Sequence, residues 1–144
     1  MFMGTYTYAL DDKGRLFLPA RLRVQEERSA ERYVITQGME GCLYLYERRV
    51  FLDLSRKLSE LPLPKQTEAR AFRRLFLAGA AESDLDPQGR LLLPKGLIQY
   101  AGIRKDITII GVGDHIELWA KERWSAYLKR AGRTFHRIGD KLNI

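Results

Sequence analysis

The chain has 144 residues, 45% of them hydrophobic and 30% charged, with 25 Lys and Arg against 18 Asp and Glu for a formal charge of +7. This length suits one compact domain or two small interlocked ones, and it excludes dependence on disulfide or metal staples because the core can bury roughly two-thirds of the unfolded surface. No apolar tract reaches bilayer-spanning length and no low-complexity run is present, so the composition is that of a soluble globular protein. Cys42 stands alone, which rules out an intrachain disulfide and fits a reducing compartment. The opening MFMGTYTYAL lacks the basic segment and long apolar stretch of a secretory signal, so the expected location is the cytoplasm. A sequence pI near 9.7 favours a polyanionic partner. Charge alone does not separate a phosphate backbone from an anionic membrane.

In chain order, Thr5 to Leu10 alternates hydroxyl or small residues with aromatic and apolar ones, and Arg15 to Leu18 continues after a turn, so a hairpin is expected. Pro19 ends the strand and suits the first turn of a short helix to about Glu27, with Leu22 inward and Arg21, Arg23 and Arg28 solvated. Tyr33 to Thr36 and Leu43 to Tyr46 flank QGMEG and read as a second hairpin. A helix is expected from Arg48 to Leu61, its face made by Val50, Leu54, Leu58 and Leu61, with Pro62 and Pro64 stopping it. Another follows from Gln66 to Gly79, with Ala69, Phe72, Leu75, Phe76 and Gly79 on one side and Arg70, Arg73 and Arg74 together on another. The pattern then repeats: a strand near Ala80 to Leu85, a turn, Leu91 to Leu93, and a helix from Pro94 to Ala101. Strands at Ile107 to Ile110 and Ile116 to Trp119 and a helix from Lys121 to Ala131 complete it. Gly132 to Ile144 shows no periodicity and is expected to be a mobile or partner-dependent tail.

The repetition extends to the wording of the sequence. LDDKGRLFLPARL, Leu10 to Leu22, returns as LDPQGRLLLPKGL, Leu85 to Leu97. Asp11-Asp12-Lys13-Gly14 and Asp86-Pro87-Gln88-Gly89 both fit a type I turn whose Gly takes positive φ, with the Asp side chain accepting from the turn's own amides. A turn needs its Asp and its Gly. It does not need an Arg beside them, yet Arg15 and Arg90 recur with it. The later parts match too, with Gly38, Leu43, Leu45, Tyr46 and Phe51 beside Gly111, Ile116, Leu118, Trp119 and Trp124, so the whole module is read as duplicated.

The opening MF-x-G, the two D-x-x-x-R motifs, the runs R-L-x-L-P and R-L-L-L-P, and an Arg-bearing helix before the second copy resemble the MraZ family over nearly the whole chain. The resemblance implies an α+β, β-rich fold: two tandem swapped-hairpin modules of the SpoVT/AbrB type forming an interlocked β-barrel with short helices. On that reading, residues 5–47 form the first module, 48–79 the connecting helices, 80–123 the second module, and 124–144 the end of the last helix and a tail. It further implies a cytoplasmic, nucleoid-associated regulator of transcription that binds double-stranded DNA at promoter direct repeats. The expected action is repression of the division and cell-wall gene cluster that includes its own promoter. Rings of identical chains would present the arms in repeated order. The alternative is a non-catalytic protein-interaction module of the AbrB/antitoxin type, without sequence-specific DNA reading.

Arg15 and Arg90 are the leading candidates for DNA contact, because a guanidinium can fork two hydrogen bonds to phosphate oxygens or to guanine O6 and N7. Lys13 projects from the first turn, and its counterpart Gln88 keeps donors but loses the charge, so the two arms are expected to bind unequally. Asp11, Gly14, Asp86 and Gly89 support the turns. Arg21 and Lys95 are secondary candidates for DNA contact whose bland reading is ordinary surface placement. Arg70, Arg73 and Arg74 are candidates whose default is a solvated face paired with Glu60, Glu68 or Glu82. Tyr6, Tyr8, Tyr44 and Tyr46 alternate with small or aliphatic residues, as on one packed sheet face. No catalytic residue is expected, since turn chemistry accounts for Asp11 and Asp86 and the following Arg would depress their pKa. His115 and His136 lie far apart, and no metal-binding or nucleotide-binding motif occurs, so neither metal nor cofactor is implied.

Overall fold

A computed structural model describes residues 1–23, 32–60 and 66–144. Strands β1 (Phe2–Ala9) and β2 (Arg15–Phe17) precede a 3-10 turn at Ala20–Leu22, and β3 (Arg32–Gln37) and β4 (Leu43–Glu47) flank another at Met39–Gly41. Helices α1 (Arg48–Glu60) and α2 (Gln66–Ala78) follow. The second half holds β5 (Ala81–Asp84), β6 (Arg90–Leu92), α3 (Lys95–Tyr100), β7 (Asp106–Gly113), β8 (Ile116–Ala120) and α4 (Lys121–Leu142). The helix expected from Pro19 is a 3-10 turn where it is described, and the rest of that stretch, with Arg28, Leu61, Pro62 and Pro64, lies outside the described residues.

Six strands form one sheet in the order β1-β7-β8-β4-β3-β5, and β2 pairs with β6 in a separate two-stranded sheet. This corrects the expected hairpin of Thr5–Leu10 with Arg15–Leu18. β1 runs antiparallel to β7, with Tyr6 opposite Ile109 and Tyr8 opposite Ile107, while β5 pairs with β3, Ala81 opposite Ile35. Each repeat therefore lends its first strand to the other repeat's third strand. At the centre, β4 meets β8 with Leu43 opposite Leu118 and Leu45 opposite Ile116, the reciprocal pairing that a two-fold relation between the halves produces. The physical reason lies in the short return strands. Leu16 sits opposite Leu91 and both are fully buried, which a local hairpin would forgo. The fold is mixed α+β and sheet-rich, with four α-helices among the described residues. Among the described residues no sheet closes, so these ladders do not show the expected barrel.

Leu16, Leu18, Leu91 and Leu93 enter the main core together with Ile35, Leu45, Ile107, Ile109 and Leu118. Tyr6 and Tyr8 pack against it, as the alternation of β1 foretells, and Tyr44 and Tyr46 join a second cluster with Phe51 and Phe76. That cluster seats α1 through Val50, Leu54 and Leu58, the face read from the sequence. Cys42 is buried beside Ile110 and Trp119, its Sγ 3.2 Å from the Met39 carbonyl oxygen, and burial pushes its thiol pKa up. For α2 the expected face is only half used. Ala69 and Phe76 are buried, and the Phe76 carbonyl accepts from the Thr36 hydroxyl, but Phe72 is 37% and Leu75 64% exposed. The expected tail is also corrected, since α4 continues unbroken to Leu142 and is not a short helix. Leu128, Phe135 and Leu142 recur at seven-residue spacing along it and remain exposed, a period obscured in the sequence by Gly132, Gly139 and many basic residues.

Candidate nucleic-acid interface

The two DxxxR turns fold alike. In the first, Gly14 N donates to the Asp11 carbonyl at 3.0 Å and Asp11 N to the Arg15 carbonyl at 3.0 Å; in the second, the corresponding bonds from Gly89 and Asp86 are both 2.9 Å. Gly14 and Gly89 take φ of 77° and 78°, the left-handed conformation that glycine adopts without a Cβ penalty. Asp11 Oδ1 accepts from the backbone N–H of Arg15 (2.8 Å) and of Lys13 (3.0 Å), while its Oδ2 accepts from Arg15 Nε at 2.7 Å. Asp86 repeats this with Arg90 N and Gln88 N, both 2.9 Å, and Arg90 Nε at 2.8 Å. The backbone amide of the Arg, followed by its guanidinium and the second turn amide, outweighs partial burial and holds both carboxyls below the ordinary aspartate value. Each Asp is thus a bracket for its Arg as well as a turn residue.

Expected on stiff, exposed arms, the Arg side chains are half-buried and aimed. Arg15 is 30% and Arg90 28% exposed, each with Nε spent on its own Asp. What remains of Arg15 for an outside partner is the edge carrying NH1 and NH2. In Arg90, NH2 donates to Gln88 Oε1 and NH1 lies 3.8 Å from Asp11 Oδ2 of the other turn. The turns also lock to one another's return strands, Leu18 N donating to the Gly89 carbonyl at 2.9 Å and Leu93 N to the Gly14 carbonyl at 2.8 Å. The two motifs, far apart in sequence, form one continuous surface.

Of the secondary candidates, Lys13 and Lys95 are brought together: both line a hollow of about 760 Å³ beside the first turn, walled by Leu10, Leu92, Pro94 and Ile98. Arg21 is exposed in the 3-10 turn. Arg70 and Arg74 are exposed and Arg73 half-buried on α2, and no hydrogen bond or ion pair among the described residues joins them to either arm. Glu82, one of the three carboxylates available as their partners, pairs with Arg48 at 2.9 Å. Arg23 is the residue that sequence reasoning misplaced. It is half-buried rather than largely solvated, because its Nε donates to the Leu18 carbonyl at 2.8 Å and its guanidinium lies 5.2 Å from the Phe17 ring centroid. A Cβ on Gly89 would overlap that guanidinium. The one available signal was the repeat itself: one residue past the shared Leu22 and Leu97, the first copy carries Arg23 where the second carries Ile98.

In both turns the carboxylate accepts from two backbone amides and one guanidinium. Among the described residues, no three His, Cys, Asp or Glu side chains are placed to hold a metal ion, and no helix is long and apolar enough to cross a membrane. Fold and site together define a duplicated, sheet-rich α+β protein that carries a matched pair of DxxxR turns. The model of the MraZ protein family matches the chain twice, at residues 1–75 and 76–138. The chain is 45% identical to the transcriptional regulator MraZ of Heliobacterium modesticaldum, covering 99% of this chain and 96% of that protein. It is 46% identical to the protein of the same name from Symbiobacterium thermophilum, covering 99% and 100%. The chain belongs to the MraZ family, whose relatives here are named as regulators and not as enzymes.

Proposed function

We propose that this protein regulates transcription by binding double-stranded DNA through its two DxxxR turns, Arg15 and Arg90 making the principal contacts. The observation that carries the reading is the duplicated bracket. Both arginines surrender Nε to an aspartate in the same geometry, which is how a guanidinium is preorganised for phosphate or a base edge; Arg15 keeps its terminal edge for an acceptor, and that of Arg90 is shared with Gln88 and Asp11. Gln88 sits on the Arg90 edge but is itself exposed on the turn, so it can rotate away when an acceptor arrives. Lys13 adds charge at the first turn, and Lys95, across the same hollow, is placed to follow the backbone. The net charge of +7 and the relatives' names support a nucleic-acid partner.

The finer reading is a pair of swapped-hairpin modules, within residues 5–47 and 80–123, acting in the cytoplasm at the nucleoid as a repressor of a division and cell-wall cluster and of its own promoter. Crossed pairing of β1 with β7 and β5 with β3 supports the swapped-hairpin description. One pair of turns reads only a few base pairs, so several chains must engage at once. A ring of identical chains on direct repeats meets that need, and the exposed apolar side chains of α4 and of Phe72 and Leu75 on α2 supply faces for such contacts. Selection of bound duplexes from a random pool tests the DNA reading, and native mass spectrometry tests the assembly. Enrichment of spaced direct repeats by a species well above a dimer is expected. A pool that emerges unenriched would leave the protein-interaction alternative.

A further inference from the structure

The first arm carries two cations, Arg15 and Lys13, whereas the second carries Arg90 and the neutral Gln88. In space this inequality is repaired from the other repeat. Arg23, which follows the first repeat's 3-10 turn, lies against Gly89 at the tip of the second turn, so close that Gly89 is buried while its twin Gly14 is only half-buried. Two contacts hold it there, and a third braces one of them. Its Nε donates to the Leu18 carbonyl, Phe17 lies beneath the guanidinium, and Tyr8 braces Phe17 with ring centroids 5.0 Å apart. Leu18 N in turn bonds the Gly89 carbonyl, so Arg23 and the second turn are fixed to the same residue. NH1 and NH2 of Arg23 have no hydrogen-bond acceptor among the described residues, and the side chain remains partly exposed.

Around the first turn the equivalent positions are Ser83, Leu92 and Ile98 in place of Tyr8, Phe17 and Arg23, and they leave the open hollow beside Lys13. We infer that Arg23 is a DNA-contacting residue of the second arm, supplying the phosphate-binding cation that Lys13 supplies to the first. This rests on the reading of the DxxxR turns as DNA-binding elements. It bears on the expectation that the two arms bind unequally. Lys13 and Arg23 are each a second cation beside an arm arginine, drawn in one case from the same repeat and in the other from its partner repeat, while the first turn also carries the exposed Asp12.

The test is the salt dependence of binding to a promoter duplex by wild type, Arg23→Gln, Arg23→Lys and Lys13→Gln, with thermal unfolding of each as a check on folding. A lost phosphate contact lowers the slope of log K against log salt by about one unit, whereas a packing defect lowers affinity at every salt concentration and leaves the slope alone. Arg23→Gln is expected to weaken binding several-fold and to flatten the slope as much as Lys13→Gln does, while Arg23→Lys keeps the wild-type slope. An Arg23→Gln variant with an unchanged slope overturns the inference, whether its affinity is intact or reduced. A wild-type chain with no salt-dependent binding would instead remove the DNA reading underneath, so the two failures are told apart by the first curve measured.

Discussion

Replacing each arm arginine by alanine should show that Arg15 and Arg90 are matched in role but not in consequence. Loss of a guanidinium that bonds a base or phosphate bidentately costs about 1–3 kcal/mol, roughly 5- to 150-fold in affinity. Within that range the structure orders the two. In Arg15→Ala, Asp11 keeps its two amide bonds and still has Arg90 NH1 3.8 Å away, so a cation remains at the first turn. In Arg90→Ala, Asp86 loses its ion-pair partner, Gln88 loses the donor on its Oε1, and Asp11 loses its second cation. Arg90→Ala should therefore fall in the upper part of the range and Arg15→Ala in the lower, with the double variant less than additive because both act on one surface. Fluorescence anisotropy at one fixed salt concentration measures the affinities. Unfolding midpoints should move little, since both side chains lie at the surface in ion pairs of modest worth. Equal losses would refute the role given to the cross-arm contact, and a double variant within about twofold of wild type would refute the arms.

Leu16→Ala and Leu91→Ala should each destabilise the protein by about 2–5 kcal/mol in chemical denaturation, because both are fully buried where β2 crosses β6 and neither site can collapse without parting the repeats. Gly14→Ala should cost about 1–2 kcal/mol through its positive φ alone, whereas Gly89→Ala should cost more and weaken DNA binding as well, since the new methyl displaces Arg23. Equal costs at the two glycines would contradict the packing described. For pH, the lowered values of Asp11 and Asp86 mean that both contribute stability that is whole above their ordinary value of 3.8 and lost as pH falls through the lower folded values. DNA binding corrected for unfolding should thus be flat from pH 8 to about 5 and decline only in acid, and Asp11→Asn with Asp86→Asn should remove the acid step.

Which residues form the turns, and that there are two of them, could be read from the sequence because turn chemistry is local. Asp, Gly and the following Arg act within five consecutive positions, and repetition of the phrase separates them from incidental turns. The strands and the face of α1 were legible for the same reason, since a period of two or of 3.6 is written along the chain. The partners of the strands were not. Two repeats of the same strand pattern offer each first strand two possible third strands, and the exchange goes with burial of Leu16 against Leu91 at the crossing. Periodicity also says that a residue shares a face but not whether anything covers it, which is why Phe72 and Leu75 are exposed beside the buried Phe76. Arg23 shows the limit most plainly. Nothing in its own neighbourhood marks it, because its place at Gly89 exists only once the two repeats have crossed, and charge acts through distance in space regardless of separation along the chain.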